Sequence, residues 1–352
     1  MDIIELIKAA IIGIIEGITE WLPISSTGHM ILADEFIQLN VSPEFWEVFL
    51  VVIQLGAILA VLLLFFNKLN PFAPSKSKEQ RKRTWVLWLK VVVGSIPAAG
   101  IGFLLDDWFT ENFHNAVTVA IALVVYGVAF IVVERIKGKQ ERQVNGFLVS
   151  STPERQENRP LVSVGKHSPE ALEARAAERG QEKLYSALQP AGTKAPAKGK
   201  EKNTEKRSID AVTDVDQLGF GRVLAIGLFQ CLAIVPGTSR SGATILGARI
   251  LGVSRPAAAE FSFFLAIPIM FGWSLLKVVK AFVLDDVVVT TNEWAIFAVG
   301  IVVAFVVSIL AIKFLMGYIR KHSFEVFGWY RIVLGIVVLA FFALTGQLFI
   351  MQ

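Results

Sequence analysis

Two short polar stretches interrupt strongly apolar sequence, and both carry residues that could bind or transfer a phosphoryl group. Residues 23–30 read PISSTGHM, and residues 236–242 read PGTSRSG. The first stretch contributes hydroxyls and an imidazole, and the second contributes an arginine between two serines. A hydroxyl or an imidazole can attack phosphorus, whereas a guanidinium and the free N–H groups of a helix N-terminus bind phosphate oxygens. The two stretches together predict a phosphate-handling site.

Two glutamates, Glu16 and Glu20, precede the first stretch and lie on one helix face among Ile, Gly and Trp. Like charges at this spacing repel, and burial adds a desolvation cost. A divalent cation bound by both carboxylates, or a proton held by one of them, would relieve the repulsion. The alternative is an interfacial helix whose acids face water together with Glu5 and Lys8. Because Glu20 adjoins the proline break, we favour a functional role.

Ser26 and His29 are three residues apart, so they share a face of the half-helix that follows Pro23. A nucleophile and base pair is therefore geometrically available. One hydroxyl is expected to cap this half-helix, but a cap needs only one of Ser25, Ser26 and Thr27. His29 is itself a second candidate nucleophile.

Arg240 is expected at the start of the second half-helix, where it would bind phosphate. An arginine that extends to the lipid surface is the alternative, and it fits poorly at a turn that reaches toward the middle of a membrane. Further groups expected to contact the substrate are Ser25, Thr27, Gly28, Gln54, Gly237, Thr238, Ser239, Ser241, Gly242 and Thr244.

Four other polar residues receive structural interpretations. We expect Arg255 and Glu260 to pair with each other near the start of a helix. Tyr330 and Arg331 begin the last apolar run and are typical of anchors at the membrane interface.

The elements that must position these residues are membrane helices. The chain has 352 residues, of which 54% are hydrophobic, and several apolar runs exceed the roughly 20 residues that span a bilayer. The single cysteine, Cys231, excludes an internal disulfide and a cysteine-based metal site. We expect no nucleic-acid partner. The sequence predicts six spans, at about 44–66, 85–105, 115–136, 257–280, 293–318 and 327–350.

Two further apolar stretches, 3–38 and 220–251, are each broken by one of the polar motifs. Basic loops at 67–84, after residue 134 and at 320–321 alternate with acidic loops near 106–111 and 285–293. The positive-inside rule places the basic loops in the cytoplasm, and the alternation holds only if neither interrupted stretch crosses. Both are therefore predicted to be re-entrant helical hairpins.

The two halves of the chain are similar to each other. IGIIEGITEWLPISSTGHMIL from Ile12 matches IGLFQCLAIVPGTSRSGATIL from Ile226, and a glutamate, Glu47 or Glu260, opens the next span of each half. Each half holds one hairpin and three spans, so the second half is inverted relative to the first. The predicted fold is an all-α polytopic membrane protein, with repeats at 1–136 and 218–352. Between them, 137–217 is a polar, mostly disordered cytoplasmic insertion with a helix start at 168–170.

These motifs resemble the bacterial undecaprenyl-diphosphatase family, also called the bacitracin-resistance family. The likeness rests on EGITEWLPISSTGHM, FWEVFLVVIQLGAILAV, FQCLAIVPGTSRSGATI, LGVSRPAAAEFSFFLAIPIM and the terminal YR, and it leaves out only the insertion. It implies hydrolysis of undecaprenyl diphosphate to the monophosphate, which recycles the lipid carrier for cell-wall polymers. It also implies dependence on a divalent cation, Mg²⁺ or Ca²⁺, and a site that opens to the outer face of the cytoplasmic (inner) membrane.

The resemblance carries the family's acidic pair onto Glu16 and Glu20, as metal ligands or with one of them as the base. Its hydroxyl and imidazole fall on Ser26 and His29, and its essential arginine falls on Arg240. The hypothesis is attack by Ser26, assisted by His29, on the terminal phosphorus. The oligomeric state is left open, a homodimer included.

Two other functions were weighed. The STGH motif resembles the PSGH motif of acid-type lipid phosphatases, but that family needs a histidine six residues after its Ser-Arg arginine. Leu246 occupies that position here, so this assignment fails. A polyprenyl-phosphate transporter would show the same inverted repeats and charges, although binding alone does not require a nucleophile and base cluster.

Overall fold

The computed structural model describes residues 2–113, 115–151, 212–285 and 287–346, and the chain is helical over most of these ranges. The first half forms α1 Ile3–Thr19, α2 Ser26–Asp34, α3 Pro43–Leu64, α4 Phe66–Leu69, α5 Lys78–Phe113 and α6 Ala116–Ser151. The second half forms α7 Phe220–Cys231, α8 Arg240–Ile250, α9 Arg255–Val279, α10 Thr291–Ile319 and α11 Glu325–Thr345. A π-helical turn, Lys280–Leu284, extends α9. Within the described ranges no strand is formed, and one isolated β-bridge joins Val212 to Val253.

Six of these helices are long and apolar enough to cross a membrane: α3, α5, α6, α9, α10 and α11. They confirm the predicted number of spans and make the chain an all-helical, multi-pass membrane protein. Their outward faces carry large apolar side chains, as expected of helices whose solvent is lipid.

Each interrupted stretch contains two short helices separated by a turn. The first turn (residues 20–25) separates α1 from α2, and the second turn (residues 232–239) separates α7 from α8. Ser25 caps α2 by accepting from the N–H of Gly28, and Ser239 caps α8 by accepting from the N–H of Gly242. Both serines have a positive φ, 74° and 72°, which a non-glycine residue adopts rarely. The same local geometry therefore begins both second half-helices.

Small residues let each first half-helix pack closely on a span from the other half of the chain. α1 packs on α10, where a Cβ added at Gly13 would stand 2.8 Å from the Gly300 carbonyl oxygen. α7 packs on α5, where Gly227 faces the backbone of Gly94. Glycine-lined crossings of this kind are typical of membrane helices, which gain little from hydrophobic burial against lipid. Both interrupted stretches are thereby held inside one helical unit.

The ends of the predicted insertion are ordered. α6 continues to Ser151, and the chain returns with Val212 and Val215 buried against the core. Residues 152–211, including the helix start predicted at 168–170, lie outside the described residues.

The predicted pairing of Arg255 with Glu260 is wrong. Arg255 donates to Glu134 of α6 at 2.7 Å, and Glu260 pairs with Lys68 at 2.9 Å. Residues five apart on an α-helix point about 140° away from each other, so each side chain meets a different neighbour.

Candidate functional site

A buried arginine from α11 joins the two turns. Arg331 donates to the carbonyl oxygens of Pro23 at 3.3 Å, of Gly237 at 2.9 Å and of Thr238 at 2.8 Å. Its side chain is fully buried, and its guanidinium lies 5.5 Å from the ring centroid of Tyr126. The interpretation of Arg331 as an interfacial anchor is therefore wrong. A guanidinium has several donors in one plane, so it can bind carbonyl groups from two segments at once.

A serine hydroxyl provides a second link between the turns. Ser241, at the start of α8, donates to the carbonyl oxygen of Glu20 at 3.1 Å and also approaches that of Leu22 at 3.4 Å. The N-terminus of α8 is thereby attached to the last turn of α1. Ser25 and Ser239 are 214 residues apart in the chain, yet the two motifs to which they belong form one structural centre.

The glycines predicted to approach a ligand also pack closely against other helices. Gly237 has a φ of +88°, and a Cβ at this position would stand 2.5 Å from the carbonyl oxygen of Val119. A Cβ at Gly242 would stand 3.0 Å from Arg331, and one at Gly28 would stand 3.1 Å from Leu123. Close packing on α6 and α11 is sufficient reason for glycine at these positions.

Glu20 lies at the centre of the polar side-chain contacts. One carboxylate oxygen accepts from Arg240 at 3.0 Å, and the other accepts from the Ser26 hydroxyl at 3.2 Å. The Glu20 and Arg240 side chains expose only 10% and 11% of their surfaces. Arg240 also donates to the carbonyl oxygen of Ser262 at 2.9 Å and lies 5.8 Å from the centroid of the Trp21 ring. The structure thus brings together three of the predicted residues, with the carboxylate between the cation and the hydroxyl.

Glu16 lies one helical turn before Glu20, and its side chain is buried. Its Oε1 atom has no hydrogen-bond partner among the described residues. Burial raises the pKa of Glu16 well above its ordinary value, and the charge of Glu20 raises it further against the opposing effect of Arg240. A buried carboxyl group with an unpartnered oxygen is able to hold a proton or to bind a cation.

His29 is held from both ring nitrogens. Nδ1 lies 2.7 Å from the carbonyl oxygen of Ser25, and Nε2 lies 2.7 Å from the hydroxyl of Tyr330. Burial lowers the pKa of His29 from its ordinary value, whereas the bond to Ser25 raises it and the Arg331 charge lowers it. No hydrogen bond joins Ser26 to His29 in the described part of the chain, so the predicted pair is replaced by Ser26 with Glu20.

The remaining predicted residues have supporting positions. Thr244 donates to the carbonyl oxygen of Arg240 at 2.9 Å and accepts from the hydroxyl of Ser262 at 2.6 Å, and these bonds stabilise the start of α8. Thr27 and Gln54 are half-buried, and Gln54 has no hydrogen bond to the site among the described residues.

Three residues at the centre were not predicted to act there: Ser262, Tyr330 and Arg331. Sequence spacing could not find them, because each lies on a span outside both polar motifs. The one available signal was that all three belong to stretches that carry the family resemblance, Ser262 in LGVSRPAAAEFSFFLAIPIM and the other two in the terminal YR.

The carboxylates offer a limited set of metal donors. In the part of the chain that the structure describes, no group of three or more His, Cys, Asp and Glu side chains could hold a metal ion. Glu16 and Glu20 alone supply oxygen donors. Two carboxylates suit Mg²⁺, which commonly keeps several waters and takes further oxygens from a substrate phosphate.

Replacing Arg331 tests its role as the link between the turns. Arg331→Met keeps an unbranched, flexible side chain but leaves three buried carbonyl groups without their donor, so we expect the free energy of unfolding to fall by about 2–4 kcal/mol. Denaturant unfolding in detergent measures this. Arg222→Met, at an exposed position of α7, is the control and should change it by less than about 0.5 kcal/mol. Equal stabilities for the two variants would contradict the role.

One protein family matches both halves of the chain. The family model described as bacitracin resistance protein BacA matches residues 9–152 and 197–337. The chain is 45% identical to the undecaprenyl-diphosphatase of Acetivibrio thermocellus, over 96% of this chain and 98% of that protein. It is 47% identical to undecaprenyl-diphosphatase 1 of Clostridioides difficile, over 97% and 98% of the two chains, and 44% identical to the undecaprenyl-diphosphatase of Enterococcus faecalis, over 95% and 96%. The chain belongs to the BacA bacitracin resistance family.

Proposed function

We propose that this protein is a membrane phosphatase that hydrolyses undecaprenyl diphosphate to undecaprenyl phosphate and inorganic phosphate. The observation that carries the proposal is the network of Arg240, Glu20 and Ser26, formed where two helix N-termini meet. It combines a cation for phosphate, a hydroxyl for attack and a carboxylate to accept the proton. Three relatives at 44–47% identity carry the name of this activity. The product would return the lipid carrier to cell-wall synthesis.

The two interrupted stretches are proposed to be re-entrant hairpins related by an inverted repeat. The matching caps at Ser25 and Ser239 support this relation. The glycine crossings support it as well, because Gly13 meets a span of the second half and its counterpart Gly227 meets a span of the first.

Two ion pairs likewise join residues from opposite halves of the chain. Glu47 near the start of α3 pairs with Lys277 near the end of α9, across 3.7 Å. Glu260, its counterpart near the start of α9, pairs with Lys68 beyond the end of α3, across 2.9 Å. A two-fold axis in the membrane plane would relate the two pairs and place them at opposite faces.

The orientation follows from the loop charges. Basic loops are usually retained in the cytoplasm, which supports a cytoplasmic location for the 137–217 insertion and an outer location for the acidic loops. The first hairpin then enters from the outer face of the inner membrane. Ser26 and His29 lie in the first turn of its second helix, α2, so the site is proposed to open toward that face.

Binding of the substrate would reorganise the charges around Glu20. A diphosphate brings at least two negative charges, and it would compete with the Glu20 carboxylate for the Arg240 guanidinium. The free N–H groups at the start of α8 add donors for phosphate oxygens. As Arg240 turns toward phosphate, Glu20 loses its cationic partner and becomes a better proton acceptor.

In the proposed reaction, Ser26 Oγ attacks the terminal phosphorus and its proton passes to Glu20. The new Oγ–P bond forms as the bridging P–O bond breaks, and undecaprenyl phosphate leaves. Water then cleaves the Oγ–P bond and releases inorganic phosphate. His29 would replace Ser26 as the nucleophile in the alternative mechanism. Its Nε2 would then attack, because Nδ1 is engaged with Ser25.

A divalent cation is part of the proposal. Glu16 would hold it, with Glu20 as the second ligand in the alternative in which Glu20 does not act as the base, and the unpartnered Oε1 of Glu16 is the structural support for this assignment. When bound, the cation would neutralise charge on the diphosphate oxygens.

The transporter alternative is not favoured. The relatives are named for hydrolysis, and the hydrogen bond from Ser26 to Glu20 positions a nucleophile on an acceptor, which binding alone does not require.

Removing Arg240 tests the proposed function. Arg240→Ala should lower kcat/KM for phosphate release from undecaprenyl diphosphate in detergent by at least about 100-fold, as expected when a donor to developing charge is removed. Arg320→Ala, at an exposed position, is the control with near-normal turnover. Near-normal turnover by Arg240→Ala would contradict the site, and a wild-type protein without phosphate release would contradict the function.

Trapping a phosphoenzyme decides between the two nucleophiles. Brief reaction with substrate labelled in its terminal phosphate, followed by quenching and peptide mapping, should give acid-stable label on Ser26 that is absent from Ser26→Ala. Acid-labile label on His29 that persists in Ser26→Ala would establish the alternative mechanism instead.

Chelation tests the cation. Exhaustive treatment with EDTA should abolish phosphate release, and added Mg²⁺ should restore it. Without the cation, the two negative carboxylates cannot neutralise the negative charge of the diphosphate. In Glu16→Gln, the Mg²⁺ concentration needed for half-maximal activity should rise at least about tenfold. Full activity in EDTA would refute the role of a cation.

A further inference from the structure

The hydrogen bond between His29 and Tyr330 joins α2 to α11 beside the candidate site. The Tyr330 hydroxyl lies 2.7 Å from Nε2, and the two rings are parallel to within 8°. Tyr330 exposes 45% of its surface, so this contact lies at the rim of the buried network. Neither the fold nor the proposed reaction accounts for a tyrosine hydroxyl at this position.

The bonding of His29 identifies which of its atoms is able to react. The Ser25 carbonyl can only accept, so Nδ1 must carry a proton to bond with it at 2.7 Å. The neutral imidazole then has its one lone pair on Nε2. Tyr330 donates to that lone pair, and it therefore contacts the atom that would attack phosphorus or accept a proton.

We propose that Tyr330 is a positioning residue that fixes the imidazole ring of His29 by donating to Nε2 and gives up that bond when the substrate phosphate reaches this atom. The inference rests on the proposed phosphatase function. It applies to the alternative mechanism, in which His29 attacks phosphorus, and to any proton transfer by His29 when Ser26 attacks, because both roles use the Nε2 lone pair.

The neighbouring Arg331 explains why Tyr330 can do this accurately. Arg331 attaches α11 to the carbonyl oxygens of both turns, including that of Pro23, two residues before Ser25. Tyr330 precedes Arg331 on the same helix. The position of its hydroxyl is therefore fixed with respect to the segment that carries His29. The charge of Arg331 also acts on His29, and it comes from the same helix as Tyr330.

The chain offers a matched control for removal of the hydroxyl. Tyr318 also lies against a histidine, with its ring centroid 4.5 Å from that of His322. His322 bonds to the backbone oxygen of Tyr318, whereas the Tyr318 hydroxyl has no hydrogen bond to the described residues. Tyr318→Phe therefore removes a hydroxyl beside a histidine without removing a hydrogen bond to it.

The kinetic test compares the two variants on undecaprenyl diphosphate in detergent. Tyr330→Phe should lower kcat about fivefold to tenfold, the effect of losing one neutral hydrogen bond, with KM and thermal stability unchanged. Tyr318→Phe should retain wild-type kcat. A kcat for Tyr330→Phe within twofold of wild type would overturn the inference, and a rise in KM alone would assign Tyr330 to substrate binding instead.

A spectroscopic test does not depend on activity. In protein labelled with ¹⁵N-histidine, with the signals of His29 assigned by His29→Gln, the neutral imidazole should be protonated at Nδ1 and unprotonated at Nε2. The Nε2 signal should shift in Tyr330→Phe and not in Tyr318→Phe. A His29 protonated mainly at Nε2, or signals unaffected in Tyr330→Phe, would overturn the inference even if the protein had no phosphatase activity. If the wild type releases phosphate and these results are negative, the inference about Tyr330 is overturned and the proposed function is not.

Discussion

The structure depends on one buried cation. Arg331 has no carboxylate partner among its described contacts and is held by three backbone carbonyl oxygens, one from the first turn and two from the second. Removing a guanidinium from water costs several kcal/mol, and only well-placed acceptors offset that cost. Carbonyl groups at broken helices are such acceptors, because they have lost their partners within the helix. The carbonyl groups at the breaks therefore obtain donors from Arg331, and the guanidinium of Arg331 obtains acceptors from them.

The contacts around Glu20 follow from that link. Once the two turns are side by side, Arg240 from one half of the chain and Ser26 from the other reach the same carboxylate. The carboxylate stabilises the cation in the absence of substrate and orients the hydroxyl. A diphosphate that competes for Arg240 would convert this resting ion pair into a reactive arrangement, so affinity and activation would be coupled through one residue.

Hydropathy and helix breaks predicted much of the architecture. Six spans follow from local composition, since roughly 20 apolar residues must cross a bilayer as a helix. The breaks at Pro23 and at Pro236-Gly237 follow from local chemistry too, because proline lacks an N–H and glycine tolerates a positive φ. Predictions about pairs of side chains were weaker. Arg255 with Glu260 and Ser26 with His29 were chosen for their closeness in sequence. In the structure, Arg255 and Glu260 bond to residues of other helices, and Ser26 bonds to Glu20 across the first turn.

The sequence by itself determined the membrane helices, the positions of the two turns and the residue types that could handle phosphate, because each depends on a few neighbouring residues. Tertiary structure alone decided that Glu20 pairs with Arg240, that Tyr330 binds His29 and that Arg331 joins the turns. The bond from Arg331 to Pro23 spans 308 residues, and those to Gly237 and Thr238 span 94 and 93. At such separations a partner is set by how the helices pack, and no local pattern specifies that packing.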